Sequence, residues 1–164
     1  MSRKIEVNFN KLPVVKIRVI DKNDPDFVIK SKKKYPFVLM NTIKVEIIEK
    51  KKNTYFEFEI PKGYIWNGAD IPKWLFVFGQ SKDNNYLLAS MVHDFMLEHK
   101  TFIYKYVLKK SMTVDEYRKL TSLIFREILK EEKTNVIKAN FMAFAVDFYQ
   151  KFINVKQWKS LGGV

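Results

Sequence analysis

The sequence contains no cysteine, and glycine and proline number only five each. The lack of cysteine excludes disulfide bridges, thiolate zinc sites and cysteine nucleophiles. The scarcity of glycine and proline excludes collagen-like and linker-rich chains. No apolar run approaches the roughly 20 residues that cross a bilayer, so we expect no membrane span. The chain is 47% hydrophobic and 15% aromatic, which predicts a single folded domain over residues 1–164.

Arginine is also scarce, although the formal net charge is +12. Only four of the 30 basic residues are arginines. Arginine is the usual residue for bidentate recognition of bases and phosphates, whereas lysine supplies diffuse charge. We therefore interpret the lysines mainly as a solvated basic surface, and nucleic acid remains an alternative partner for that surface.

The first part of the chain alternates polar and apolar residues in the manner of strands. In the predicted strand 42–49, the solvent side comprises Lys44, Glu46 and Glu49. The connections are too short for crossover helices, which favours an antiparallel sheet. The predicted strands are residues 14–20, 27–30, 35–40, 42–49 and 54–60.

From residue 73 onward, apolar residues recur with the period of an α-helix. A stripe from Leu88 to His99 predicts one helix, and the capping box Thr113–Glu116 predicts a second that ends near Lys130. A last helix is predicted over Thr134–Ile153, before a flexible tail at 154–164. Its predicted core side comprises Ile137, Phe141, Phe144, Ala145, Phe148 and Phe152. The predicted fold class is α+β: an N-terminal antiparallel sheet of about five strands within 13–60, packed against three to four C-terminal helices within 73–153.

A polar turn at 61–72 lies between the predicted sheet and the helices. Gly68 can adopt positive φ, Pro72 can begin a short helix at 73–78, and Asp70 can cap it. A structural role therefore accounts for these residue types. On the stripe helix, however, His93 and Asp94 face away from the stripe, where apolar residues also occur, and need polar partners. We predict that His93 and Asp94 converge with Asn67 and Asp70.

Such a cluster could perform acid–base chemistry. His93 would be the general base, oriented by Asp70 or Asp94, and these three are the candidate catalytic residues. Trp66, Asn67 and Ser90 are the candidate substrate-binding residues, with Ser90 also a conceivable nucleophile. Trp66 beside a turn is equally typical of a hydrophobic core.

Cofactor motifs are lacking. The chain has only two histidines, no His-Glu-x-x-His pair and no Gly-rich phosphate loop. We therefore predict no cofactor and no transition-metal site. Carboxylate and amide oxygens at Asn67, Asp70 and Asp94 leave a hard divalent cation open as an alternative.

The segment Pro61–Pro72, followed by Ala89-Ser90-Met91-Val92-His93-Asp94-Phe95, resembles a family of unknown function that is common in bacteriophages and prophages. Its members carry a Gly-aromatic-x-x-Asp-Gly-Ala-Ser-Ile-Pro turn and then an Ala-x-x-x-His-Asp helix. The resemblance covers roughly residues 61–130 and implies a phage or prophage source with a shared polar site.

The chain departs from the pattern of that family at three positions. Asn67 replaces the usual Asp of the turn, Asp70 replaces the usual Ser, and Ser122 stands where relatives tend to carry an Asp. If the family's carboxylates act as ligands or bases, Asn67 and Ser122 impair the site. The His93-Asp94 pair is retained, which suits either a retuned enzyme or a domain kept for its shape.

Three functions follow as expectations. The first is a non-catalytic virion component or host-interacting accessory factor, with phage structural proteins or a second copy as partner. The second is a hydrolase of amide or ester bonds, for instance in a cell-wall polymer, with His93 as general base. The third is a lysine-rich nucleic-acid-binding protein. The N-terminal residues show no signal peptide, so the expected location is the host cytoplasm or the virion.

Overall fold

The computed structural model describes residues 5–50, 54–67, 86–109, 111–153, 156–159 and 161. The strands are β1 (Ile5–Phe9), β2 (Val15–Ile17), β3 (Phe37–Leu39), β4 (Ile43–Glu49), β5 (Thr54–Ile60) and β6 (Ile65–Trp66). The helices are α1 (Asp26–Lys34), α2 (Leu87–Glu98), α3 (Lys100–Phe102), α4 (Val114–Glu131), α5 (Val136–Phe148) and α6 (Lys156–Lys159). The π-helical turns Ile103–Val107 and Tyr149–Ile153 directly continue α3 and α5. The α+β class predicted from the sequence is confirmed.

The strands form two three-stranded antiparallel sheets rather than the single sheet that was predicted. One has the order β1-β4-β5 and the other the order β2-β3-β6. In the first, Val45 faces Phe58 and Ile47 faces Phe56 across the strand pair. The prediction of about five strands omitted β1 and β6, since β6 has only two residues and gives little alternation in the sequence.

Strand β4 is the middle of the first sheet and alternates strictly between its two sides. Ile43, Val45, Ile47 and Glu49 are buried, so the prediction that Glu49 lies on the solvent side is wrong. The period of a strand is two residues, and burying Ile47 therefore turns Glu49 inward as well. On the opposite side, Lys44 Nζ lies 2.7 Å from Glu57 Oε2.

Residues 27–30, predicted as a strand, belong instead to helix α1. Pro25 stands just before the helix, and the backbone N–H of Val28 donates to the Pro25 carbonyl over 2.8 Å. Asp26 lies in the first turn and lysines fill the last turn, where each charge complements the helix dipole. These signals at the two ends favour a helix, and the apolar run at 27–29 is too short to specify a strand.

Helix α4 is the middle helix, because it contacts α2, α5 and strand β1. The predicted capping box is present, since Thr113 Oγ1 accepts from the Glu116 N–H and Glu116 Oε2 accepts from the Thr113 N–H. Tyr117 of α4 donates its hydroxyl to the Met96 carbonyl of α2 over 2.9 Å. The hydrophobic core that joins these elements includes residues from Ile5 to Trp158.

Helix α5 was predicted correctly, but its core side was predicted on the wrong face. Ile137, Phe141, Phe144, Phe148 and Phe152 are exposed, and of the predicted core side only Ala145 is buried. The buried face consists of Ala139, Met142, Ala143, Ala145 and Val146. Small residues let α5 approach α4 closely, which turns the larger phenylalanines outward.

Arg118 of α4 fixes this rotation of α5. Its guanidinium forms an ion pair with the Asp147 carboxylate and donates to the Asp147 backbone carbonyl over 3.1 Å. A second pair joins Arg118 to Asp115 over 2.7 Å. Only 3% of Arg118 is exposed, so the α4–α5 contact contains a charged group that hydrophobic periodicity does not reveal.

Part of the segment predicted as a flexible tail forms helix α6. Trp158 on that helix is buried, contacts the edge of the Tyr117 ring and donates its indole N–H to Gln150 over 3.3 Å. No helix in the described part of the chain has both the length and the apolar character needed to cross a bilayer.

Candidate functional site

Helix α2 carries His93 into the protein core. Buried residues occur on nearly every side of this helix, as the sequence indicated for a central helix. Only 6% of His93 is exposed, and its ring lies edge-on to Phe125 of α4 with the centroids 5.5 Å apart. Nε2 is buried and has no hydrogen-bond partner among the described residues. The imidazole therefore faces the α2–α4 contact.

Asp94 lies on another side of α2 from His93. Its Oδ1 is 3.7 Å from His93 Nδ1, which is longer than a hydrogen bond. The negative charge of Asp94 also helps to raise the pKa of Tyr64, so this carboxylate lies near that hydroxyl. The two residues are close, but Asp94 does not hold the imidazole through a short hydrogen bond.

Tyr64 also belongs to this region, although the sequence did not single it out as a site residue. Its hydroxyl donates to Glu98 Oε2 over 3.0 Å, one turn of α2 after Asp94. Burial raises the pKa of Tyr64 strongly, and the nearby Glu98 and Asp94 carboxylates raise it further. Tyr64 is therefore a neutral hydrogen-bond donor, and its only advance signal was its place in the Pro61–Pro72 segment.

Trp66 is a core residue in the described structure. It is 1% exposed, and its ring stacks against Tyr64 and lies 5.6 Å from Phe37. The indole nitrogen is buried without a hydrogen-bond partner in the described part of the chain. Burial at this level means that Trp66 offers almost no surface for a substrate, so the core interpretation fits better than the binding one.

The predicted meeting of His93 with the polar turn falls mostly outside the described residues. Asp70 and the predicted helix at 73–78 lie there, as does Gly68. Asn67 is described and half-buried, and no hydrogen bond between described residues joins it to His93. The convergence of Asp70 with His93 therefore stays a prediction.

Two buried serines flank the contact between α2 and α4 and differ in their bonding. Ser90 is 1% exposed and donates its hydroxyl to the Leu87 carbonyl over 3.0 Å, as helix serines often do. Ser122 is 4% exposed, and its Oγ has no partner among the described residues. It lies one turn before Phe125, the ring that His93 contacts. The sequence did not indicate that Ser122 is buried.

Glu132 is a further residue that the sequence did not single out. Its carboxyl group accepts backbone N–H bonds from Leu88 and Ala89 at the start of α2, although it follows α4 in the chain. Burial raises the pKa of Glu132 to about 7, while the two N–H bonds act in the opposite direction. Only the tertiary fold brings this carboxyl group to α2, so no local pattern could have predicted it.

The described residues hold no group of three His, Asp or Glu side chains that could bind a metal ion. His99, the second histidine, packs against Phe95 with ring centroids 4.3 Å apart. Among the described residues, the centre around His93 is therefore a buried polar group between two helices.

Comparison with known proteins identifies the family of the chain. No curated protein and no solved structure shows significant similarity to the chain. Residues 41–146 match a family described as "Protein of unknown function (DUF1353)". The match extends from the start of β4 to the last turns of α5, and it includes Trp66, Asn67, Asp70, Ser90, His93 and Asp94. Because it spans more than half of the sequence, the chain belongs to the DUF1353 family.

Proposed function

We propose that this DUF1353 protein is a phage- or prophage-encoded protein that acts by binding, as a virion component or as an accessory factor on a host partner. The burial of His93 carries the proposal. A general base must reach the proton that it abstracts, directly or through one water. An imidazole that is 6% exposed and packed against Phe125 suits a structural role better.

The exposed surface of α5 is a second observation that supports a binding function. Phe144, Phe148 and Phe152 are each exposed by more than two fifths. Contiguous exposed apolar side chains are typical of interaction sites rather than of ordinary protein surfaces. A chain that buries its best catalytic candidate and exposes a row of phenylalanines has the distribution expected of a binding protein.

Complementation tests this function. A phage or prophage that lacks the gene would be supplied with the wild type, with His93→Leu, or with Phe144→Gln/Phe148→Gln. We expect His93→Leu to restore particle production if it folds, and the double variant to fail. Loss of function in a folded His93→Leu protein, with the double variant still active, would contradict the proposal.

Hydrolysis is the second candidate, because His93 Nε2 and Ser122 Oγ are both buried without partners in the described structure. Unpaired buried polar atoms are uncommon, and a catalytic role is one explanation for them. The test is turnover of peptidoglycan fragments and phosphoesters by the wild type and by His93→Ala. Turnover that His93→Ala abolishes would establish an enzyme, and equal inactivity of both proteins on both substrates would remove this candidate.

A further inference from the structure

Helix α5 and its π-helical continuation expose one continuous row of apolar side chains. We define the aromatic stripe as Ile137, Phe141, Phe144, Phe148 and Phe152, which are 79%, 36%, 66%, 43% and 58% exposed. Neighbouring rings touch, since the Phe144 and Phe148 centroids are 6.3 Å apart and those of Phe148 and Phe152 are 4.7 Å apart. The stripe is therefore one surface rather than a set of scattered residues.

The spacing of the stripe is that of a helix–helix seam. From Ile137 to Phe148 the members follow one another at intervals of four, three and four residues, the pattern of a heptad core. A strict heptad would next use position 151, which is a lysine. Phe152 instead follows Phe148 by four residues, a spacing that places two side chains on the same face of a helix, and the two rings are in contact. Phe152 thus extends the stripe by one more ring.

The outward position of the stripe is fixed by the packing of α5. Its opposite face is buried against α4, and the Arg118–Asp147 pair holds the helix in this rotation. Turning α5 to bury the phenylalanines would expose Met142 and Val146 and break that buried pair. The stripe is consequently a permanent surface of the folded chain.

We propose that the aromatic stripe pairs with the same stripe of a second copy, in a symmetric dimer centred near Phe144; this deepens the proposed binding function and rests on it. A full-size side chain of this kind buries about 200 Å². At the exposures above, one stripe therefore offers roughly 550 Å². Two stripes approach the lower limit of about 1,200 Å² for specific interfaces, and Val136, 57% exposed at the start of the helix, adds to the total.

The few charges beside the stripe favour an apolar occupant over an anionic one. Along Val136–Ile153 the only charged residues are Lys138, Asp147 and Lys151, and Asp147 is engaged by Arg118. The stripe therefore lacks the flanking lysine clusters of helices that bind anionic lipid. Two chains of net charge +12 repel each other, so salt should strengthen the dimer by screening. Binding to anionic lipid or nucleic acid should weaken with salt.

The experiment measures the mass of the full chain by sedimentation velocity and light scattering over a range of concentration and salt. We expect the wild type to have twice the monomer mass at micromolar concentrations. Phe144→Gln/Phe148→Gln should weaken self-association by at least about 30-fold. The matched control is Phe102→Gln/Tyr106→Gln, an exposed aromatic pair with centroids 5.7 Å apart, which should remain dimeric.

A second variant tests the contact face directly. Because the chain has no cysteine, Phe144→Cys introduces a single thiol near the expected symmetry axis. Mild oxidation should give a covalent dimer, whereas Phe102→Cys should form no disulfide-linked dimer under the same conditions, although it still associates through the stripe. Equal circular dichroism spectra will show that each variant is folded.

Three results would overturn the dimer. They are a wild type that stays monomeric at every salt concentration, a stripe variant that remains dimeric, and a monomer that floats with phosphatidylglycerol vesicles through the stripe. The last would assign the stripe to a lipid surface. None of these results touches the complementation test with His93→Leu, so failure of the dimer and failure of the binding function can be distinguished.

Discussion

Helices α2 and α5 depart in opposite directions from the usual distribution of side chains. On α2, His93 is polar and buried, and one ring nitrogen has no partner among the described residues. On α5, Phe144 and its neighbours are apolar and exposed. An unpaired buried polar group lowers the stability of the fold, whereas an exposed aromatic side chain costs the isolated fold little.

The two helices therefore give different kinds of evidence about function. A substrate or partner can reach the stripe on α5 without any rearrangement, whereas His93 is only 6% exposed and packs against Phe125 of α4. Substitutions around α2 should therefore change the free energy of unfolding, and substitutions on the exposed side of α5 should change association. The predictions below test whether that division holds.

The largest expected change in the free energy of unfolding comes from substitution of Arg118, which holds the stripe on the exposed face of α5. Arg118→Ala removes a buried guanidinium that is paired with the partly exposed Asp147 carboxylate, and it should lower the free energy of unfolding by about 2–3 kcal/mol, measured by urea denaturation. The control is Arg126→Ala on the same helix, whose pair with Glu127 is nearer the surface and is worth at most about 1 kcal/mol. Equal losses in the two variants would show that Arg118 does not specifically fix α5.

Glu132 should make stability depend on pH. Its folded-state pKa is raised to about 7 from 4.5, so the folded protein holds this proton more tightly than the unfolded chain. The resulting stabilisation is complete below about pH 4.5 and is lost as the pH rises through about 7. Since Glu132 as a whole is only half-buried, we expect a change of only about 1–2 kcal/mol.

Glu132→Gln isolates this effect. The stability of the wild type relative to Glu132→Gln should fall between about pH 4.5 and 8, measured as the difference between their urea midpoints. Glu131→Gln, at the exposed neighbouring position, should show no such trend. A constant difference between wild type and Glu132→Gln at all pH values would show that the carboxyl group at the start of α2 is not perturbed.

The two buried serines form a matched pair with a smaller effect. Ser122→Ala removes a hydroxyl that has no described partner and should raise the free energy of unfolding by about 1 kcal/mol. Ser90→Ala removes a hydroxyl that donates to Leu87 and should lower it by about 0.5–1 kcal/mol. We therefore expect the two substitutions to change the free energy of unfolding in opposite directions. A loss of stability in Ser122→Ala would mean that this hydroxyl has a bonding partner in solution.

Several elements could be predicted from the sequence because they carry local signals. Strand β5 has the predicted bounds Thr54–Ile60, and α4 begins at the predicted capping box. Helix α1 was mistaken for a strand because a two-residue β-branched run was weighted above its end charges. The division into two sheets was not predictable, since pairing such as that of β1 with β4 depends on contacts distant in sequence.

The candidate site, like the fold, could be predicted only where it depends on local sequence. The motif led to His93 and Asp94, and helical geometry correctly placed His93 in a buried position. Tyr64 and Glu132 were missed because their pKa values are set by burial and by groups from other elements. On α5 both faces are apolar, so periodicity favoured the larger residues. It could not show that small side chains and Arg118 select the other face.

Phe144 and Met142 give the most sensitive test of which face of α5 is buried. Phe144 is 66% exposed, so Phe144→Gln should change the free energy of unfolding by less than about 0.5 kcal/mol in protein dilute enough to be monomeric. Met142, two residues earlier, is 8% exposed, and Met142→Gln should cost about 2 kcal/mol or more because it buries an amide. Hydrophobic periodicity predicts the reverse order. Denaturation of both variants at one low concentration decides between the two faces, because only the exposed stripe can lose a ring without loss of core packing.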